Sequence, residues 1–358
     1  MKLKDVCIKG TSNIRQKDVN DSGRYPVYGA AGPVGFMNSF QYDEPYVGVV
    51  KDGAGIGRAT YLPSNSSIIG TMQALIPKKN VLPKYLYYAV SSMHLEKYYS
   101  GATIPHIYFK NYKHERFVLV SKKEQEQIIW RFSLLEKMIS NKQQQLLKLD
   151  ELIKARFVEM FGDPRCNNFN WKKSSIKKSC TLKSGKSLSV SIENEGGDIP
   201  YIKVKDMNNP KNIPYITTSS KFVKIENVEK QIFPPGTVIF PKRGGAIGTN
   251  KKRLTEVTIC ADLNIMGVIP NAEKLNSQYL FAYFKTIDLK TLNNGSSVPQ
   301  INNKDIEPLE ISLPPLSLQN EYANFVRQVD KSKFENIVYL NKTLSSKILS
   351  QIGDVIRD

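Results

Sequence analysis

The sequence predicts an α+β protein made of one unit written twice: two mixed α/β domains joined by two long antiparallel helices of coiled-coil type. Three observations predict it. An internal repeat holds register along much of the chain, two apolar seams run at heptad spacing, and the positive charge is confined to two separate segments.

The repeat is sought first, because a missed period misassigns the whole fold. YLYYAVSSMHLEKYYSGATIPHI, beginning at Tyr85, matches YLFAYFKTIDLKTLNNGSSVPQI, beginning at Tyr279. Tyr85 pairs with Tyr279, Leu86 with Leu280, Gly101 with Gly295, Pro105 with Pro299 and Ile107 with Ile301, each 194 positions apart. Upstream, KDGAGIG at 51–57 matches KRGGAIG at 242–248 at an offset of 191. Downstream, Gln125 and Gln319 again stand 194 apart, each after a short apolar run and at the head of a helical stretch. Chance similarity does not keep register over so many positions.

Each copy reads as a mixed globular part followed by a long helix. Gly, Pro, Asn and Ser turns separate β-prone runs such as PYVGVV at 45–50 and GTVIF at 236–240. Helical stretches, PKYLYYAVSSMHLEKYY and SQYLFAYFKTI, sit late in each part. From Lys122, apolar residues follow alternating steps of three and four: Ile128, Phe132, Leu135, Ile139, Leu146, Leu149, Ile153 and Met160, with Lys142 and Arg156 in the two interrupting slots. Gly162, with Pro164 close behind, ends the helix. About 40 residues of helix span ~60 Å, too long for one small domain to cover. After Pro314-Pro315 the design recurs with Phe325, Val329, Phe334, Ile337, Leu344, Ile348, Ile352 and Ile356. The expected domains are 1–120 and 163–314, with the helices at 121–162 and 315–358. The first helix leaves the first domain and ends where the second begins, so a paired second helix runs back. That connectivity puts one domain at each end, related by an approximate two-fold axis.

The chain has 358 residues, 41% hydrophobic and 10% aromatic, enough for two packed cores. Its formal charge of +18 points to a polyanionic partner, nucleic acid ahead of a membrane surface. Residues 1–120 hold 15 basic and 8 acidic side chains, and 171–313 hold 21 and 13, so the surplus belongs to both globular parts and not to a tail. Cys7, Cys166, Cys180 and Cys260 are too scattered for a zinc site or a disulfide framework. With no apolar leader and no run approaching the ~20 apolar residues of a membrane span, a soluble, cytoplasmic protein is expected.

Several motifs invite enzymatic readings that their spacing refuses. GAGIGR at 53–58 is G-x-G-x-G followed by the β-like ATYL, whereas a dinucleotide fingerprint is G-x-G-x-x-G opening a helix. A tight glycine turn between strands is expected there. SGKS at 184–187 lacks the earlier glycine of a phosphate loop, since Cys180 holds that place. No Asn-Pro-Pro-aromatic tetrad of an adenine methyltransferase occurs. His94 falls in a helical stretch and reads as structural.

The layout resembles the specificity subunit of type I restriction-modification systems over essentially the whole chain. Three patterns carry the resemblance: FPPGTVIFPKRGGAIG at 233–248, SSVPQINNKDIEPLEISLPPLSLQNEY at 296–322, and GTMQALIPK at 70–78 followed by ATIPHIYFKNYKHERFVLVSKKEQEQI. Val118-Leu119-Val120 and Ser121 replace the LPPL of the second copy, so the start of the first helix is expected to differ. The resemblance implies two target-recognition domains reading a bipartite duplex DNA site, with helices as spacer and docking surface. It implies two copies of a methyltransferase subunit, carrying S-adenosylmethionine and methylating adenine at N6 on a flipped base. A motor and nuclease subunit, using ATP, could join. The chain itself is then no enzyme and holds no cofactor.

Candidate DNA contacts follow. In the family context the glycine turns place Lys51, Arg58, Lys242 and Arg243 near the backbone or base edges. His106 and Gln300 hold equivalent positions in ATIPHI and SSVPQI, and either side chain can hydrogen-bond a base edge. Lys251, Lys252 and Arg253 are candidates for phosphate contact, as is Lys203 for DNA. Two other classes remain to be distinguished: a bivalent RNA-binding or structural adaptor, and an enzyme with fused catalytic and recognition parts.

Overall fold

The computed structural model describes residues 1–101, 105–164, 166–194, 196–292 and 298–339. It divides into two compact units, Met1–Gln144 with residues 336–339, and Gln145–Glu335. The first unit holds a four-stranded antiparallel sheet of β1 (Cys7–Gly10), β2 (Tyr46–Val50), β3 (Ala59–Leu62) and β4 (Met72–Pro77), in the order β1-β4-β2-β3. Every residue of β2 is buried, as its unbroken apolar run requires. Helix α1 (Pro83–Ser91) covers β2 and β3, packing Tyr85, Leu86 and Val90 into one core with Val47, Val49 and Leu75.

The long helix α2 (Lys122–Phe161) contributes to both units, the division falling after Gln144. The second unit repeats the sheet with β5 (Cys180–Ser184), β6 (Tyr215–Ile216), β7 (Val238–Pro241), β8 (Arg253–Thr255) and β9 (Ile265–Pro270). Its order is β6-β8-β7-β9-β5, which is the first order with β6 added in parallel at the edge. Register repeats too, Cys7 facing Pro77 and Cys180 facing Pro270. Each unit also has a three-stranded sheet whose central strand, 25–29 or 199–202, has one antiparallel and one parallel neighbour. The chain is therefore α+β, a duplicated mixed domain with a long helix following each copy. Helix α3 (Ser277–Thr286) takes the place of α1.

Ser121 starts α2 with a capping box that the sequence reading passed over, although S-K-K-E spells it. Its backbone N–H donates to Glu124 Oε2 at 2.9 Å, and the Glu124 N–H donates back to its hydroxyl at 3.3 Å. The second long helix, α4 (Leu316–Tyr339), starts at the equivalent position after Pro315, so the two starts differ in chemistry and not in place. Along α2 the expected seam is observed: Ile128, Phe132, Ile153 and Met160 are buried, and Leu135, Ile139, Leu146 and Leu149 are half-buried. The polar slots make polar bonds. In the first unit Lys142 Nζ donates to Asn336 Oδ1 at 2.9 Å, and in the second Arg156 Nη2 donates to Glu321 Oε1 at 2.9 Å. Lys333 Nζ reaches Asp150 Oδ1 at 2.8 Å, so within the second unit residue numbers rise on α4 as they fall on α2, an antiparallel pair.

The expected seam of α4 needs correction. Phe334 and Ile337 are 67% and 43% exposed. The inward line runs Tyr322, Val326, Val329, Lys333 and Asn336, in steps of four and three. Lys333 holds a seam position because its aliphatic stem packs while its ammonium reaches Asp150 and Asp330. Leu344, Ile348, Ile352 and Ile356 lie outside the described residues. His94 also differs from expectation: α1 stops at Ser91, and His94 is an exposed left-handed residue, φ +51°, bonded to Glu96.

The matched glutamines explain why they recur. Gln125, wholly buried, accepts the Leu82 N–H at 2.8 Å and donates to the Asn80 and Val120 carbonyls, both at 2.9 Å. Gln319, also wholly buried, accepts the Asn276 N–H at 2.8 Å and donates to the Lys274 and Pro314 carbonyls at 3.0 and 2.8 Å. Every partner is displaced by the same 194 residues. One side chain thus ties the start of a long helix to the start of the shorter helix and the segment before it.

Candidate nucleic-acid interface

In the first unit the candidate residues gather where β2 turns into β3. The loop closes on itself, Gly57 N–H donating to the Val50 carbonyl at 2.9 Å and Val50 N–H to the Arg58 carbonyl at 3.0 Å. Gly53, Gly55 and Gly57 all take positive φ, from +82° to +86°. At Gly57 the requirement is double, because a Cβ would fall 2.4 Å from the Glu96 nitrogen. The turn expected from GAGIGR is the turn observed. SGKS is likewise no phosphate cradle: a Cβ on Gly185 would fall 2.2 Å from the Asp262 carbonyl oxygen, so glycine there serves a close backbone approach.

A second segment lies along this loop. Gly53 N–H donates to the Pro105 carbonyl at 2.9 Å and Ile107 N–H to the Lys51 carbonyl at 2.9 Å. The second unit repeats the ladder, Gly244 N–H to Pro299 at 2.8 Å and Ile301 N–H to Lys242 at 2.9 Å. The two motifs found separately in each copy, K-x-G and P-x-I, are therefore neighbours in space. Asp52 bridges to His106 in one unit and Arg243 to Gln300 in the other.

The candidate residues divide by burial. Lys51, Arg58 and His106 come together in the first unit. Arg58 is exposed, its guanidinium folded over Gly55, and Lys51 Nζ stands 3.9 Å from Asp52 Oδ2. His106 Nδ1 lies 2.7 Å from Asp52 Oδ1, its ring stacked on exposed Tyr108 at 6.2 Å, and Lys110 Nζ lies 5.4 Å above that tyrosine. In the second unit Arg243 is exposed, while Gln300 donates its amide to Asn302 Oδ1 at 2.6 Å.

Two of the other expected contacts, Lys242 and Lys252, are buried, and two, Lys203 and Arg253, are half-buried and already bonded within the protein. Lys242 is 9% exposed and donates to Ser184 Oγ at 2.7 Å, joining the ends of β7 and β5, and burial with Arg243 nearby lowers its pKa. Lys252 is 6% exposed and donates to Asn250 Oδ1 at 2.7 Å, and burial brings its pKa down to about 8. Arg253 donates to the carbonyls of Lys252 and Met207 at 2.8 and 2.9 Å. Lys203 is neutralised by Glu193, whose carboxylate oxygens lie 2.7 and 2.8 Å away. Each is held by backbone or side-chain acceptors that a phosphate would have to displace. Lys251, bonded to Asn208, keeps to the surface side. The sequence reading missed Asp52, Tyr108 and Lys110. Aligning the repeat at the 191 offset sets Asp52 opposite Arg243 and was the available signal.

Among the described residues no group of three or more His, Cys, Asp or Glu side chains is placed to hold a metal, and no helix is long and apolar enough to cross a membrane. Cys7, Cys180 and Cys260 are raised to about 12 by desolvation.

The fold is a duplicated specificity-type architecture: two like units, each presenting a glycine loop beside a K-x-G/P-x-I ladder, each followed by a long helix. Residues 1–151 and 168–345 match the family model described as type I restriction modification DNA specificity domain, and the chain belongs to that family. Among curated relatives, the type I restriction enzyme MjaIX specificity subunit of Methanocaldococcus jannaschii is 28% identical over 51% of this chain and 42% of its own length. The putative type I restriction enzyme MjaX specificity subunit of the same organism is 24% identical over 72% of this chain and 63% of its own. The match thus spans about half the length of these relatives. Among solved structures, the type I restriction-modification S subunit from M. genitalium superposes with a TM-score of 0.59 at 16% identity, covering 100% of this chain and 96% of that one. A chain from work on complex assembly and conformational transition of the type I R-M system gives 0.60 at 14% identity, covering 98% and 96%.

Proposed function

We propose that each unit reads one half of a bipartite duplex DNA target, and that the chain holds methyltransferase subunits in place for adenine N6 methylation. Two copies of that subunit fit a duplicated chain, one per unit, with S-adenosylmethionine bound on them. A motor and nuclease subunit would bring the ATP chemistry. The chain is then a non-catalytic DNA-reading subunit working in the cytoplasm.

The observation that supports this best is the ladder that each unit builds between its K-x-G and P-x-I segments, with the same backbone bonds and different side chains on top. A shared frame carrying different readers suits two unlike half-sites. Phosphate contacts would come from exposed Arg58 and Arg243 and from half-buried Lys251, base readout from His106 and Gln300.

Exchange of residues 171–313 for the equivalent segment of a relative tests it. Methylation mapping of a host carrying the complete system is expected to show one half-site replaced and the other retained. Change in both half-sites, or in neither, would remove the modular reading.

A further inference from the structure

We propose that Asp52 is a positioning residue that sets His106 to accept a hydrogen bond from an exocyclic amino group at one base pair of the first unit's half-site; the proposal rests on the DNA-reading function above. The backbone of His106 is pinned on both sides. Its N–H donates to the Ser100 carbonyl at 2.8 Å, its carbonyl accepts from Ser100 N–H at 2.9 Å, and its neighbours Pro105 and Ile107 bond to Gly53 and Lys51. Only the two side-chain torsions remain. Asp52 Oδ1, 2.7 Å from Nδ1, and the stacked Tyr108 ring hold them.

A carboxylate oxygen only accepts, so Nδ1 carries a hydrogen toward Asp52, and in the ring with that one hydrogen the lone pair falls on Nε2. That nitrogen has no protein partner among the described residues, and the side chain is 36% exposed. In the major groove the donors on base edges are adenine N6 and cytosine N4, while guanine O6 and thymine O4 only accept. His106 held this way therefore selects adenine or cytosine at the position it faces. The second unit puts Arg243, not a carboxylate, opposite Gln300 on the same frame, so the preference belongs to one half-site.

The test uses the intact complex of this chain with its modification subunit, after methylation mapping has defined the target. Each adenine or cytosine of the first unit's half-site is replaced in turn by 6-H purine or 4-H pyrimidinone, which lack the amino group. Binding is measured for the natural chain, His106→Ala and Asp52→Asn. At one position the analogue should weaken the natural complex by about 5- to 150-fold and each variant by no more than about 2-fold. The carboxamide introduced by the second substitution can donate to Nδ1 and leave the hydrogen on Nε2, so Asp52→Asn should accept guanine or thymine at that position. Discrimination in the second half-site should be unchanged, which also shows that the variants are folded. If the analogue scan is identical for the natural chain and His106→Ala, or Asp52→Asn weakens every sequence equally, the proposal fails and the pair is structural. Absence of any sequence preference in the natural complex would end the DNA reading itself, and this proposal with it.

Discussion

Of the triplet Lys251-Lys252-Arg253, the middle ammonium sits at 6% exposure against Asn250, and burial brings its pKa from 10.5 to about 8. Between those values the unfolded chain binds a proton that the folded chain has lost, so stability rises with pH across that window. Below about 8 the charge is present in both states and its burial cost is fully felt. Lys252→Met should therefore flatten the pH dependence of the second unit's unfolding. Urea unfolding of both chains at pH 8 and pH 10 should give pH dependences that differ by on the order of 1–3 kcal/mol, with the natural chain gaining as pH rises. A parallel pair of curves would show that the ammonium is solvated after all. At this scale a charge run says nothing of direction: Lys251 and Lys252 are adjacent in sequence, and one turns out while the other turns in.

At the scale of elements, the glutamine ties are the clearest device. Gln319→Ala leaves the Asn276 N–H and the carbonyls of Lys274 and Pro314 without their partner inside a closed site. Orphaned buried groups cost ~1–3 kcal/mol each, and partial relaxation should bring the total to about 3 kcal/mol. Denaturant unfolding of the full chain should show the second unit's transition shifted and the first unit's unmoved. Gln125→Ala should do the reverse. The register of the seams belongs here as well. For α2 the apolar spacing alone predicted which residues turn inward, because Ile, Leu and Phe recur at nearly every third or fourth place. For α4 it misled, since Phe334 looks like a seam residue and Lys333 does not. The lysine's stem and its two carboxylate partners decided between neighbouring registers.

For the whole molecule, the proposed function makes the long helices a spacer between two readers. Insertion of one heptad after Gln144, matched by one in α4 after Glu335, adds ~10.5 Å of helix while keeping the seams in phase. At ~3.4 Å per base pair the spacer between half-sites should lengthen by about 3 base pairs. Methylation mapping of a host carrying this variant checks it, and a target with the original spacing would show that the helices do not set the distance.

The duplication, the two long helices and the family were legible in the residues, since all three are periodic: an offset of 194, a step of three and four, and motifs kept in order. Sheet order also follows the repeat, so one copy predicts the other apart from β6, which the second unit adds at its edge. What only the tertiary structure decided is local and unrepeated. It brought K-x-G beside P-x-I, revealed Asp52 as the partner of His106, and gave Lys203, Lys242, Lys252 and Arg253 acceptors within the protein. Periodicity survives in sequence because many residues share in it. The direction of a single charged side chain depends on which acceptors lie within ~3 Å, and those come from residues far away along the chain.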